Sequence, residues 1–149
     1  MSQEELKQKV LNLLDEQKVL NLLDEQKVGT LATVEQDQPH TRYMTFFHDG
    51  LTLYTPTSKE THKADEIKKN PNVHILIGYT GEGFGDTYAE IAGTATLTDD
   101  RELIDRLWSE EMEKWFKGKD DPNLVILKID PTSIRYMNEG SRTPAELSL

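Results

Sequence analysis

The chain has no cysteine among its 149 residues. Disulfides, thiolate metal sites and a thiol nucleophile are excluded together. It also has no run approaching the roughly 20 apolar residues of a membrane span. Its first residues, MSQEELKQK, are too acidic for a secretory signal, so a cytoplasmic protein away from membranes is expected. Positive charge is scarce: 17 Lys and Arg face 27 Asp and Glu, for a formal net charge of −10. Such a surface repels nucleic acid and anionic lipid, and neither is an expected partner. The length suits a single domain, 1–149, with one core.

Glycine and proline are missing from Ser2 to Val28, so nothing there interrupts a helix. Apolar residues recur at spacings of one, three and four, and Ser2 is followed three residues later by Glu5, a capping-box pattern. A helix over 2–27 is expected. It contains a tandem duplication: QKVLNLLDE occupies 8–16 and again 17–25. Nine residues turn a helix through two and a half revolutions, so the two apolar stripes point in roughly opposite directions and cannot share one flat core. The expectation is that residues 17–27 pack on the domain while Val10, Leu11, Leu13 and Leu14 extend outward; the reverse assignment is the other possibility.

After Val28 the period changes from 3.6 to 2. Val28–Val34 and His40–Phe47 read as strands around the polar turn 35–39, and His48-Asp-Gly50 turns the chain into Leu51–Thr55. Pro56 suits a strand end or edge. Thr61–Lys69 has helical composition; Val73–Tyr79 and Tyr88–Leu97 read as strands flanking the loop Thr80-Gly-Glu-Gly-Phe-Gly85. Asp99-Asp100 caps a second long helix expected to reach about Phe116, and Leu124–Ile129 and Ser133–Met137 close the count as two strands. About seven short strands, mostly adjacent in sequence and therefore antiparallel, with three helices outside them, give a mainly β (α+β) fold, and a small closed barrel leaves no long free edge.

Candidate chemistry is sparse. His40, His48, His62 and His74 lie on four segments with no partner at ligand spacing on an expected helix, so no metal is expected. There is no G-x-S-x-G elbow. The glycine-rich loop joins strands and opens no helix, which removes the dipole argument for phosphate. Thr57-Ser-Lys-Glu-Thr-His-Lys63 is the better anion site: a strand ends there, a helix begins, and hydroxyls of Thr57, Ser58 and Thr61 stand beside Lys59 and Lys63. Ordinary capping with solvated lysines is the alternative. Arg42, among the large side chains of Tyr43, Met44, Phe46 and Phe47, calls for an anionic partner.

The order Gly29-Thr-Leu-Ala-Thr-Val34, Pro39-His-Thr-Arg-Tyr-Met44, Thr57-Ser58 with Lys63, Asn70-Pro71-Asn-Val73, then Lys114-Trp-Phe116 and Gly118-Lys-Asp-Asp-Pro122 resembles the pyridoxamine 5'-phosphate oxidase-like FMN-binding split-barrel superfamily, in its general stress protein 26 branch. The resemblance spans roughly Gln17 to Met137. It implies a six- to seven-stranded antiparallel split β-barrel (Greek key) with flanking helices, forming a homodimer with FMN, or another flavin or deazaflavin, in clefts at the subunit interface. By position, Arg42 and Lys63 hold the FMN phosphate with Thr61 and His62. Thr57 and Ser58 lie beside the cofactor, and the backbone of Met44 and Thr45 edges the ring. Tyr88 stands where the oxidases carry a flavin-contacting glutamine, and Trp115 approaches the ring from the partner subunit.

Three departures qualify the activity. Phe47 stands where the oxidases have a lysine, His62 replaces an arginine, and Gly140–Leu149 lacks the Arg-x-His motif that holds pyridoxamine phosphate. The oxidase reaction itself is therefore not expected. A flavin-dependent oxidoreductase using reduced nicotinamide and a small-molecule electron acceptor is one reading; a non-catalytic FMN-binding or storage protein is the other. No catalytic side chain is assigned.

Overall fold

A computed structural model of the chain describes residues 1–81, 86–138 and 144–149. Residues 82–85 of the glycine-rich loop therefore lie outside it. The elements run α1 (Gln3–Glu25), β1 (Val28–Glu35), β2 (Gln38–Thr45), β3 (Phe47–Asp49), β4 (Thr52–Ser58), α2 (His62–Lys69), β5 (Asn72–Ile77), β6 (Tyr88–Thr98), α3 (Arg101–Leu107), a short 3-10 helix (Glu110–Lys114), β7 (Leu124–Met137) and β8 (Ala145–Glu146). All strand pairs are antiparallel, in the order β2-β1-β5-β6-β7-β4-β3, with β8 added to β7. The two ends of that order, β2 and β3, are separated in sequence only by Phe46, which is buried. One bent segment thus serves both edges and curls the sheet into a split barrel.

Alternation fixes which face is inside. In β1 and β5 every second residue is buried, placing Leu31, Val73, Ile75 and Ile77 in one core with Ile91, Leu127, Ile129 and Ile134. The second half of α1 lies on this core through Val19, Leu22 and Leu23, whereas Leu6, Val10, Leu11, Leu13 and Leu14 are exposed. Ser2 and Glu5 form the reciprocal capping box. Gly78 is required where α1 lands: its φ is +107°, and a Cβ there would lie 2.7 Å from Leu22 Cδ1.

Three expectations need correction. The helix expected to run from Asp99 to Phe116 ends at Leu107. Ser109 is extended and restarts the chain as a 3-10 helix, which brings Met112 into the same small cluster as Leu103, Ile104, Leu124 and Ile126. The two closing strands are one, β7, because a register shift opposite Ala92 and Gly93 leaves Thr132 as the extra residue while Pro131 still pairs with Gly93. The strand expected to end at Phe47 instead breaks at Phe46, and the hairpin turn lies at Gly50, whose φ is +59°. Pro56 sits in mid-strand, but past Tyr54 the only strand paired with β4 among the described residues is β7, so its missing N–H costs no ladder bond on the open side.

Candidate functional site

The open side of β4, the end of β2 and the start of α2 bound a cavity of about 500 Å³. This lies within the roughly 300 to 1,000 Å³ usual for small-molecule sites. Among the residues expected at the site, Met44, Thr45, Thr57, Ser58, Thr61, Lys63 and Trp115 line it. They arrive from four elements, which explains why no compact motif marks them. Trp115 stands on the rim of its own chain's cavity, 82% exposed, with Val28 and Tyr43 also exposed on the lining.

The polar end is built by the strand-to-helix junction. Thr61 caps α2 by accepting from the Ala64 N–H, and its hydroxyl donates to the Ser58 carbonyl at 3.0 Å. Lys63 Nζ donates to Thr57 Oγ1 at 2.7 Å. Burial lowers the Lys63 pKa, the Arg42 charge lowers it further, and Glu66 pulls it back up. This ammonium is thus short of counter-charge and faces a cavity. The amides of His62 and Lys63, ahead of the capped Ala64, add donors with no intrahelical acceptor.

Arg42, His62 and Tyr88 do not line the cavity. The Arg42 guanidinium is turned toward Glu66: Nη2 donates to Glu66 Oε2 at 3.1 Å and Nη1 to Thr33 Oγ1 at 2.7 Å. His62 is exposed at the first turn of α2. Tyr88 forms an edge-to-face pair with Tyr79, centroids 6.2 Å apart. Sequence reading missed Glu66, which is buried and also accepts from Thr33 and from His40 Nδ1 at 2.9 Å. Burial alone raises its pKa, but the hydrogen bonds from Thr33, His40 and Arg42 and the Arg42 charge outweigh it and hold the carboxyl at about 2. It was illegible because its only sequence signal is an acid on a polar helix.

Glu35, His40 and Glu66 bring three potential metal-ligand atoms within 4.8 Å of one another. Spacing along a helix could not reveal this group, which joins the β1–β2 hairpin to α2. Arg42, Thr33 and His40 already engage both Glu66 oxygens, so the group is held as a hydrogen-bonded ion cluster. Ser109 was missed as well: it lines the cavity, and its Oγ is buried without a hydrogen-bond partner among the described residues.

The pyridoxamine 5'-phosphate oxidase family profile matches residues 15–138. In sequence, the chain is 60% identical over 149 residues to General stress protein 26 of Bacillus subtilis (strain 168), spanning 100% of both. In structure it superposes on General Stress Protein 26 of Bacillus anthracis str. Sterne with a TM-score of 0.81 at 34% identity, over 90% of this chain and 98% of that one. A FAD-binding protein of Mesorhizobium loti superposes with a TM-score of 0.67 at 20% identity, over 78% of this chain and 89% of that one, a likeness of fold alone. No helix among the described residues is long and apolar enough to cross a membrane.

Proposed function

The chain belongs to the pyridoxamine 5'-phosphate oxidase family, and from that membership we propose that it is a cytoplasmic FMN-binding stress-response protein, a flavin-dependent oxidoreductase that draws on reduced nicotinamide. The observation that carries this reading is the under-neutralised Lys63 at the hydroxyl-rich end of a cavity whose remaining wall, Ser109 and Glu111 apart, is mostly apolar and aromatic. A phosphate suits the first and a planar ring the second. Lys63, Thr57 and Thr61 would hold the phosphate, Met44, Met112 and Trp115 would flank the ring, and the Met44–Thr45 backbone would edge it. Arg42 would act from behind through its charge, its guanidinium being engaged by Thr33, Glu66 and the carbonyls of Leu31 and His40. When bound, a flavin supplies hydride and electron transfer that no side chain can.

The proposal includes a homodimer. Val28, Tyr43 and Trp115 leave one wall of the cavity exposed and apolar, which a second copy would cover. That copy is also what would bring Tyr88 to a cavity. Another flavin or a deazaflavin would use the same cation and aromatic wall.

Titration of purified protein with FMN, followed by flavin fluorescence, tests the ligand: quenching is expected, and none would remove the proposal. Lys63→Ala is expected to weaken FMN binding by about 1.5 to 3 kcal/mol while leaving riboflavin, which lacks the phosphate, unaffected.

A storage or binding role is the second reading. It is favoured by the lining, in which Tyr43, Lys63 and Glu111 are the only titratable residues. Anaerobic stopped-flow mixing of the FMN complex with NADPH or NADH separates the two, since bleaching of the flavin absorbance is expected only for the oxidoreductase.

A further inference from the structure

The sequence QKVLNLLDEQKV occurs twice, at 8–19 and again, overlapping, at 17–28. The second occurrence is docked. Val19, Leu22 and Leu23 are 0%, 7% and 2% exposed, Leu22 rests on Gly78, Asp24 accepts from His48 Nε2 at 2.6 Å, and the Lys27 carbonyl accepts the Phe46 N–H at 2.7 Å. Every one of these groups has an identical copy nine residues earlier: Val10, Leu13, Leu14, Asp15 and Lys18. At these groups the barrel has no means of telling the two copies apart.

We propose that α1 is a register-degenerate helix with two docking states. In the populated state residues 17–28 occupy the groove. In the slipped state residues 8–19 occupy it, and nine residues loop out between the docked helix and Gly29. The apolar area buried is the same in both, because Leu13 and Leu14 replace Leu22 and Leu23. Two terms favour the populated state. Slipping closes a nine-residue loop, a cost that grows only slowly with length. It also removes Asn12 from its present bracket on the C-terminal tail, where Asn12 Oδ1 accepts the Ser148 N–H at 2.8 Å and Nδ2 donates to the Ser148 carbonyl at 3.4 Å. Asn21, the copy of Asn12, makes a different bond, accepting from Gln17 Nε2. The loop would leave beside Lys27 and Val28, whose side chains are exposed. The first copy is thus a spare for the second, and damage to the docked copy is met by a shift of nine residues.

The absence of cysteine makes the test clean. Val10 is 47% exposed while its copy Val19 is fully buried, and cysteine nearly matches valine in size. A Val10→Cys chain is expected to react with a maleimide at the rate of an accessible thiol. Adding Leu22→Asp, which spoils the docked copy, is expected to leave the barrel folded by circular dichroism and to slow that reaction at least tenfold. Adding Leu13→Asp as well, which spoils both copies, is expected to restore the fast rate. A Val10→Cys thiol that stays fully reactive beside Leu22→Asp, a Leu22→Asp chain that loses its barrel, or protection that survives Leu13→Asp would each overturn the proposal.

Discussion

Glu66 is the residue on which the cation chemistry of the cavity turns, although it does not touch the cavity itself. It offsets the Arg42 charge, and its own charge raises the pKa of the Lys63 ammonium. Its carboxylate is buried, so removing its charge leaves Arg42 unpaired; Glu66→Gln is expected to cost about 3 kcal/mol, toward the low end for a buried pair because Arg42 is partly solvated. The pH dependence has a definite sign. The folded pKa of about 2 lies below the ordinary 4.5, so the stabilisation is complete above about pH 4.5 and is lost as pH falls toward 2. Denaturant titrations of both proteins between pH 7 and 2.5 are therefore expected to converge as acid is added; a gap that stays constant would mean that Glu66 is not ionised in the fold. Lys63 gives the opposite limb. Its pKa is lowered, so a phosphate-bearing ligand is expected to lose affinity on the alkaline side sooner than an unperturbed lysine allows, while riboflavin shows no such loss.

At the scale of elements, the turn between β1 and β2 is the most improvable piece. Glu35 pairs with Gln38, and the two residues between them, Gln36 and Asp37, have φ of 50° and 63°. That is the type I′ geometry, which favours Asn-Gly, and neither residue here is at its best in it. Gln36→Asn with Asp37→Gly is expected to raise stability by about 1 kcal/mol, visible as an upward shift in Tm. Elements whose determinants are local were legible from sequence: the Ser2 and Glu5 capping box, the alternation in β1 and β5, and the Thr61 cap. Those decided by distant packing were not. Nothing between Asp99 and Phe116 is a helix breaker, yet the chain leaves the helix at Trp108 because Met112 joins the cluster of Leu103 and Ile104. The gap expected between Ile129 and Ser133 is no strand break, because β7 carries Pro131 through in register with Gly93 and bulges at Thr132. The same distinction holds at the site. Lys63 and Thr57, six residues apart, could be read together, whereas the partner of Arg42 sits 24 residues away on α2, and its burial depends on how that helix lies against β1.

For the molecule as a whole, the distribution of apolar surface bears on assembly. Most large apolar residues exposed outside α1 are spread thinly, but Val28, Tyr43 and Trp115 gather on one cavity wall, at 58%, 79% and 82% exposure. A net charge of −10 opposes self-association at long range. Dimerisation through this wall must therefore draw on burial of these side chains, and it should strengthen as salt screens the repulsion. Sedimentation velocity is expected to show a dimer whose dissociation constant falls with added salt. Tyr43→Arg, which puts a charge at the middle of the wall without touching Lys63 or Thr57, is expected to shift the protein toward monomer. FMN affinity should fall with it, and at protein concentrations high enough to restore the dimer the affinity should return. If the variant is monomeric and still binds FMN as the parent does, the partner copy contributes nothing to the cavity and a single chain suffices for the site. If the parent is itself monomeric at all concentrations, the exposed wall serves the ligand alone, and Trp115 is then the side chain whose truncation to alanine should cost most in FMN binding.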